Sequence, residues 1–244
     1  MIALDKPHKL WLRLRNWIPF LLFQKGSISY TKRWLGGVIR RSNAFEDGIP
    51  WFNFFAIDWL TSYVDTSMRV FEWGSGGSTL YWAGRVHHVV SIEHDHSWLS
   101  RVAAALQERH FRNVDLRYVP SEESGSVSSS DVEASCATLV PDVFREYSAQ
   151  INTYPDEWFD IIVVDGRDRL RCLRNAASKV RQGGLIILDN SDWYEQGLAW
   201  FDPTGWEMQH FRGPGPYEPT GSFTVTTLII RQQSGIVDTV NHPD

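Results

Sequence analysis

Short apolar segments of β type alternate with amphipathic helical segments between residues 69 and 188, and this alternation restricts the fold more than any other feature of the chain. The predicted strands are Arg69–Trp73, His88–His94, Val114–Val119, Phe159–Val164 and Gly183–Leu188. The predicted helices are Trp51–Tyr63, Ser78–Gly84, Ser97–His110 and Leu170–Val180. Helical crossovers make consecutive strands parallel and cover both faces of the sheet. We therefore predict an α/β fold built on a doubly wound, mostly parallel sheet.

Two more strands follow near the C-terminal end without a helix between them. Trp206–Phe211 and Phe223–Arg231 are β-like, and only the Gly- and Pro-rich stretch Arg212–Gly221 separates them. Strands joined in this way pair antiparallel. The predicted sheet therefore has seven strands with a terminal antiparallel pair. Ligands of such sheets bind beyond the C-terminal ends of the parallel strands.

The 244 residues are enough for one large domain with a short extension. We predict an amphipathic N-terminal extension over residues 1–45, a main domain over 46–235 and a C-terminal tail over 236–244. The low-complexity stretch 121–135 is predicted to be a loop after the third strand. Two cysteines are too few for a disulfide framework, which indicates a reducing, cytoplasmic compartment.

Charge is distributed unevenly along the chain. Residues 1–41 contain nine Lys or Arg and one acidic residue, whereas the rest contains 15 basic and 28 acidic residues. The acidic main body argues against a nucleic-acid partner. The basic stretch is also rich in Trp and Leu, so it either packs on the main domain or lies peripherally on an anionic membrane. Association into a homo-oligomer is left open.

The first strand runs directly into a glycine-rich turn, Glu72-Trp73-Gly74-Ser75-Gly76-Gly77-Ser78-Thr79. Glycines at such a turn let backbone amides approach a ligand closely. A dinucleotide fingerprint counted from Gly74 requires a glycine where Thr79 stands, and the carboxylate of Glu72 would repel a pyrophosphate. A nicotinamide-dependent oxidoreductase is therefore the weaker alternative.

The turn resembles the first motif of the class I S-adenosylmethionine-dependent methyltransferases, an acidic residue followed by any residue and Gly-x-Gly. A second likeness is Glu93 at the end of the second strand, where that family carries an acid that binds the ribose hydroxyls. The resemblance covers about residues 50–231 and implies a Rossmann-like fold with S-adenosylmethionine as cofactor. It assigns to the cofactor Glu72, Gly74, Ser75, Gly76, Ser78, Glu93 and Asp165.

Acidic residues also follow two neighbouring predicted strands. Asp165 comes after the fourth strand, and Asp189 and Asn190 come after the fifth. Their oxygens are hard ligands suited to Mg²⁺ or another divalent cation. The trio resembles the metal site of the catechol and caffeoyl-CoA type O-methyltransferases, where the metal orients a substrate hydroxyl. Two metal-free alternatives are left open. Asp165 or Asp189 orients substrate by hydrogen bonds, or the trio is structural, with Asp165 paired with Arg169, Asp189 capping a helix and Asn190 in a turn.

The general base is less well defined by the sequence. The resembling O-methyltransferases carry a Lys three residues after the first Asp, and here that position holds Asp168. A carboxylate can accept a proton, although neighbouring arginines can also neutralise it. The candidate catalytic residues are Asp168, Asp165 and His210.

The predicted function is transfer of the methyl group of S-adenosylmethionine to an oxygen of a small-molecule or glycan acceptor. The segment Phe211–Pro216 is similar to one in methyltransferases that act on plant glucuronoxylan, which favours a glycan. The two alternatives are the nicotinamide-dependent oxidoreductase and a non-catalytic scaffold that binds a membrane or a partner through its basic N-terminus.

Overall fold

A computed structural model of the chain describes residues 7–40, 43–122, 142–216 and 223–233. The predicted tail, and the predicted insertion from residue 123 onward, lie outside the described residues. The strands are β1 (Arg69–Trp73), β2 (His88–Glu93), β3 (Val114–Tyr118), β4 (Phe159–Val164), β5 (Val180–Asp189), β6 (Trp206–Pro214) and β7 (Phe223–Arg231). The helices are α1 (Pro7–Phe23), α2 (Ser27–Arg40), α3 (Ala44–Asp47), α4 (Phe54–Tyr63), α5 (Gly77–Ala83), α6 (His96–Glu108), α7 (Arg145–Ala149), α8 (Arg169–Ala176) and α9 (Glu195–Leu198).

The seven strands form one sheet in the order β3-β2-β1-β4-β5-β7-β6. The first five strands in this order pair in parallel, and β7 pairs antiparallel with both β5 and β6. The predicted fold is therefore confirmed. From β1 to β3 the chain adds strands toward one edge of the sheet, and from β4 it adds them toward the other edge. The strand order therefore reverses between the parallel neighbours β1 and β4, where Trp73 lies opposite Val164. A crevice opens at such a reversal, beyond the C-terminal strand ends.

Several element boundaries differ from the predictions by one to four residues: α8 ends at Ala176 and not at Val180, and β6 continues to Pro214, into the stretch predicted to be a loop. Two further differences have local reasons. The helix predicted from Trp51 begins at Phe54, because Asn53 is its N-cap and its side-chain oxygen accepts a hydrogen bond from the backbone N–H of Ala56. Strand β5 begins at Val180, three residues before the predicted start, and its pairing with β4 shifts register after Phe159. Such a register shift places extra residues in one strand, and the periodicity of the sequence does not assign these residues to the strand.

Both faces of the sheet are covered by apolar side chains. On one face, β4 and β5 pack against α7 and α8 through residues that include Ile162 and Leu173. On the other face, the same strands pack against α4 through residues that include Ile161 and Leu60. All six residues of β4 are buried, as expected for a central parallel strand.

The N-terminal helices α1 and α2 form a hairpin that lies against the terminal strands and α4. The Trp17 ring lies 4.8 Å from Trp34 and 5.3 Å from Phe223, measured between centroids. The Phe20 ring lies 5.3 Å from Phe223 and 6.1 Å from Phe55. One face of the hairpin is therefore packed on the main domain. Within the described residues, no helix has the length and apolarity needed to cross a membrane.

Two phenylalanines of α1 provide a matched test of this packing. Phe20 is 7% exposed, whereas Phe23 is 85% exposed. We expect Phe20→Ala to lower the free energy of unfolding by about 3 kcal/mol, because it leaves a cavity between the hairpin and the domain. Phe23→Ala should change it by less than about 0.5 kcal/mol. Urea unfolding measures both values, and equal effects would contradict the docked position of the hairpin.

Candidate functional site

A cavity of about 640 Å³ lies at the C-terminal ends of β1, β2 and β4. Six residues that the sequence assigned to the cofactor line it, namely Gly74, Ser75, Gly76, Ser78, Glu93 and Asp165. The structure adds residues that sequence reasoning did not select, namely Asn43, Phe45, Trp51, His94, Trp98, Arg101, Arg167 and Arg169. The volume is within the range of cavities that hold drug-sized ligands.

Two glycines of the turn are in close contact with neighbouring backbone, whereas a third glycine faces the cavity. Gly74 has a φ of +94°, and a Cβ there would lie 2.9 Å from the Cα of Gly166. A Cβ on Gly77 would lie 2.4 Å from the carbonyl oxygens of Ala44 and Ile49. The nearest atom to a Cβ on Gly76 is in the Trp98 ring at 3.8 Å, which is an ordinary contact distance. Gly74 and Gly77 are therefore required by packing, whereas Gly76 keeps space free at the wall of the cavity.

Glu72 lies beneath the turn and does not line the cavity. Its carboxylate is fully buried and accepts hydrogen bonds from the hydroxyls of Ser78, Thr79 and Ser91. Burial raises the pKa of Glu72 to about 7, against the hydrogen bonds from these hydroxyls. The predicted contact of Glu72 with the methionine end stays a prediction. In this structure the side chain ties the start of α5 to β1 and β2.

This burial gives Glu72 a predictable effect on stability. Its folded pKa of about 7 lies above its ordinary value of 4.5, so folding takes up a proton between these values and stability falls as pH rises through this window. We expect Glu72→Gln, which cannot ionise, to lose less stability than the wild-type chain between about pH 5 and about pH 8. Urea unfolding at both pH values measures this, with the exposed Glu108→Gln as control. Parallel losses in all three proteins would contradict the raised pKa.

Glu93 lies at the floor of the cavity, 3% exposed. Its Oε1 accepts hydrogen bonds from the backbone N–H groups of His94 and Asp95, both at 2.8 Å. Its Oε2 accepts hydrogen bonds from the backbone N–H and the hydroxyl of Ser75, at 3.1 and 2.9 Å. Burial alone would raise the pKa of Glu93, but the hydrogen bonds to its carboxylate and the nearby His94 outweigh burial and lower this pKa below its ordinary value. Glu93 is therefore a fixed negative charge in the cavity at neutral pH.

Aromatic and basic side chains form the remaining walls. Trp98 donates its indole N–H to the carbonyl of Ser75 at 2.7 Å, and Arg101 lies over the Trp98 ring at 4.9 Å. Arg167 donates from Nε to Nε2 of His94 at 3.2 Å, and Nδ1 of that ring lies 2.8 Å from Oε1 of Glu93. Of these residues, the sequence places only His94 next to a predicted ligand residue, because it directly follows Glu93. Trp98 and Arg101 lie on α6. The periodicity of a helical sequence does not indicate which of its residues face a ligand cavity.

An arginine side chain binds at the acidic C-terminal ends of β4 and β5. Arg169, at the start of α8, donates from Nη2 to Oδ1 of Asp165 at 2.8 Å. It donates from Nη1 to the carbonyl of Asp189 and to Oδ1 of Asn190, the latter at 3.2 Å. Its Nε donates to the carbonyl of Gly166 at 3.1 Å. The guanidinium therefore binds the side-chain oxygens of two predicted metal ligands, Asp165 and Asn190, and the backbone carbonyl of the third, Asp189.

The predicted metal centre is not supported by this arrangement. The Asp189 side chain is buried behind the cavity and accepts a hydrogen bond from the hydroxyl of Thr226 at 2.7 Å. Burial and the charge of Asp165 raise the pKa of Asp189 to about 8. Burial also raises the pKa of Asp165, although Arg169 opposes this. Across the described part of the chain, no group of three His, Cys, Asp or Glu could hold a metal ion. Arg169 supplies the positive charge instead.

Of the three candidate bases, only Asp165 lines the cavity. The Asp168 side chain is 2% exposed and forms an ion pair with Arg171, with Nε 3.1 Å from Oδ2, so it faces the protein interior. His210 lies on the edge strand β6, where Nδ1 is 2.8 Å from the hydroxyl of Thr227. The structure thus brings Asp165 to the cavity and leaves Asp168 and His210 outside it.

Comparisons with known proteins show that solved structures share this fold. No family model matches the chain, and no curated protein is similar to it in sequence. An rRNA methylase from Streptococcus thermophilus superposes with a TM-score of 0.52 at 12% identity, covering 73% of this chain and 95% of that one. A Streptococcus mutans protein described as a methyltransferase, in complex with SAH, superposes with a TM-score of 0.50 at 13% identity, covering 72% and 96%. The chain therefore has the Rossmann-like methyltransferase fold.

Proposed function

We propose that this chain is an S-adenosylmethionine-dependent methyltransferase that acts on an oxygen of a small-molecule or glycan acceptor. The observation that carries the proposal is the cavity beside the glycine-rich turn, with the charged Glu93 at its floor and Trp98 in its wall. The cavity stands at the strand-order reversal of a sheet with the methyltransferase fold, which is where such sheets bind ligands.

The residues fit the cofactor chemically. S-adenosylmethionine supplies a methyl group that is already activated on a sulfonium. Glu93 can accept a hydrogen bond from a ribose hydroxyl at Oε2, because the Ser75 hydroxyl that now donates to this oxygen can rotate away. Trp98 offers a flat apolar surface beside Glu93, and Gly76 leaves room for the ligand. Glu93 and Asp165 provide negative charge for a cationic ligand.

Two further residues that line the cavity, Asp165 and Trp51, are suited to an acceptor. Asp165 can accept the proton of an acceptor hydroxyl, since burial raises its pKa. Arg169 holds this carboxylate in place through Oδ1. Trp51 is 56% exposed at the cavity and presents a flat surface suited to a sugar or aryl ring. These features support methylation at oxygen without a metal ligand.

The acceptors of the proteins with similar structures are not transferred to this chain in the proposal. Two of them are described as rRNA methylases. Outside residues 1–41 this chain has 15 basic and 28 acidic residues. An acidic body binds phosphate backbones weakly, so a small or glycan acceptor is favoured over RNA.

Transfer of labelled methyl from S-adenosylmethionine to mixed small-molecule and oligosaccharide acceptors tests the proposal. We expect Glu93→Gln to weaken cofactor binding by about ten- to a hundredfold, because charge-assisted hydrogen bonds contribute about 1.5–3 kcal/mol. The exposed Glu108→Gln is the matched control. Cofactor binding without transfer to any acceptor would favour the scaffold alternative. Binding of a reduced nicotinamide in place of S-adenosylmethionine would favour the oxidoreductase.

A further inference from the structure

The α1–α2 hairpin has an apolar outer face in addition to the face that packs on the domain. We define the outer face as Ile18, Leu21, Leu22, Phe23, Ile28, Leu35 and Ile39, all exposed. Phe23 is 85% exposed, Leu22 and Ile39 are 70% exposed, and Ile28 is 67% exposed. The other exposed large apolar residues of the described chain are the single aromatics Trp51, Tyr118, Trp158, Trp193 and Trp200. Seven exposed large apolar side chains on two packed helices differ from the scattered single residues of an ordinary surface, and such a concentration marks an interaction surface.

The spacing on α2 separates the two faces. Ile28, Lys32, Leu35 and Ile39 recur at the intervals that place side chains on one side of a helix, and all four are exposed. Tyr30 lies on the opposite side, with its ring 4.5 Å from Phe55. The outer face is therefore not needed to dock the hairpin on the domain.

Positive charge accompanies the outer face. Residues 7–40 contain seven Lys or Arg, and no acidic residue occurs between residues 6 and 45. Arg15, Lys25, Lys32 and Arg40 are exposed on the hairpin. One basic residue of α2, Arg33, pairs with Asp58 of α4. The surface therefore combines exposed aliphatic side chains with several basic ones.

We propose that this outer face binds the surface of an anionic lipid bilayer. A bilayer interface accepts aliphatic side chains below the headgroups while lysines extend to the anionic headgroups. The same face of a second copy would bring like charges together, which disfavours self-association through it. The cavity-lining residues Asn43 and Phe45 follow α2 closely in the chain, so bilayer binding would hold the cavity beside the membrane. The proposal does not depend on the proposed methyl transfer.

Flotation of the full-length protein with vesicles tests this surface. We expect binding to phosphatidylcholine vesicles that contain phosphatidylserine, weaker binding to phosphatidylcholine alone, and release by salt. The double variant Phe23→Gln/Ile39→Gln should weaken binding by at least about tenfold, since it removes two apolar side chains from the interface. Lys25→Glu/Lys32→Glu should weaken it by at least about twentyfold.

The controls change similar side chains elsewhere on the surface. Trp158→Gln removes an exposed aromatic residue before β4, and Arg112→Glu reverses an exposed charge after α6. Both should bind vesicles like the wild-type chain, and all variants should keep its melting temperature. No flotation of the wild-type chain, or equal flotation of every variant, would overturn the proposal. It would also be overturned if the outer-face variants abolished a dimer in sedimentation equilibrium while vesicle binding was absent.

Discussion

Replacing Arg169 with Met is expected to lower the free energy of unfolding by about 3 kcal/mol, because it leaves a partly buried carboxylate without its ion-pair partner. The Arg169 side chain is 13% exposed and pairs with Asp165, which is 23% exposed. The guanidinium also donates to the carbonyls of Asp165, Gly166 and Asp189. One side chain therefore connects the loop after β4 to the end of β5, and Met fills its volume without replacing any of these hydrogen bonds. Urea unfolding at neutral pH measures the loss.

Two further variants separate charge from geometry at this position. Arg169→Lys keeps the charge but not the planar set of donors, so it should recover only part of the loss. Adding Asp165→Asn to Arg169→Met removes the unpaired carboxylate and should also recover part of the loss. Arg117→Met breaks a pair with Asp115 whose side chains are 32% and 40% exposed, and it should cost at most about 1 kcal/mol. A cost for Arg169→Met no larger than that of Arg117→Met would contradict the role of the guanidinium.

The position of Arg169 also predicts the effect of divalent cations on the wild-type chain. Since the guanidinium already binds Asp165 and Asn190, Mg²⁺ or Mn²⁺ would have to displace a buried cation. We expect the melting temperature and any methyl transfer to be unchanged by EDTA. Calorimetric titration with Mn²⁺ at the level of one site per chain would contradict this, and Asp189→Asn would then show whether that site is the predicted one.

Gly76→Val is expected to weaken binding of S-adenosylhomocysteine by at least about a hundredfold while leaving the fold intact. A Cβ on Gly76 has only Trp98 near it, at 3.8 Å, so the added methyl groups extend into the cavity and not into packed protein. Gly205→Val is the matched control, because nothing lies within 4 Å of a Cβ at that position. Gly166→Ala is a contrasting variant, since its Cβ would lie 2.0 Å from the hydroxyl oxygen of Tyr147 and should destabilise the fold.

The outcome for Gly76 is interpretable only alongside stability. A Gly76→Val protein that melts like the wild-type chain and binds the ligand equally well would remove the turn from the ligand site. A Gly76→Val protein that unfolds would contradict the open space that the structure shows next to this residue.

The parts of the fold that follow from the sequence are those set by local periodicity. The bounds of β1, β4 and β7 agree with the predicted ones, because each is an apolar run between turn residues. The grouping of Glu93 with the glycine-rich turn was implied by the family resemblance, and the structure places both at the cavity. Residues on helices, such as Trp98, and residues of the loop before α4, such as Trp51, reach the cavity only through tertiary packing.

The metal centre is the part of the predicted site that the structure does not support. Asp165, Asp189 and Asn190 do gather at one edge of the sheet, as the sequence indicated, but Arg169 reaches them from the first turn of α8. Among the four arginines between residues 167 and 174, Arg169 stands four residues after Asp165 and pairs with it, as the metal-free alternative predicts. The hydrogen bonds of Arg169 to Asn190 and to the carbonyl of Asp189 depend on tertiary packing and have no signal in the sequence.

Isothermal calorimetry of the wild-type chain with S-adenosylhomocysteine tests the central claim most directly, because it requires no knowledge of the acceptor. We expect saturable binding at one site per chain, weakened about ten- to a hundredfold in Glu93→Gln and unaffected by EDTA. Gly205→Val should bind like the wild-type chain. Absence of binding by a wild-type protein with a cooperative melting transition would contradict the assignment of the cavity to this cofactor.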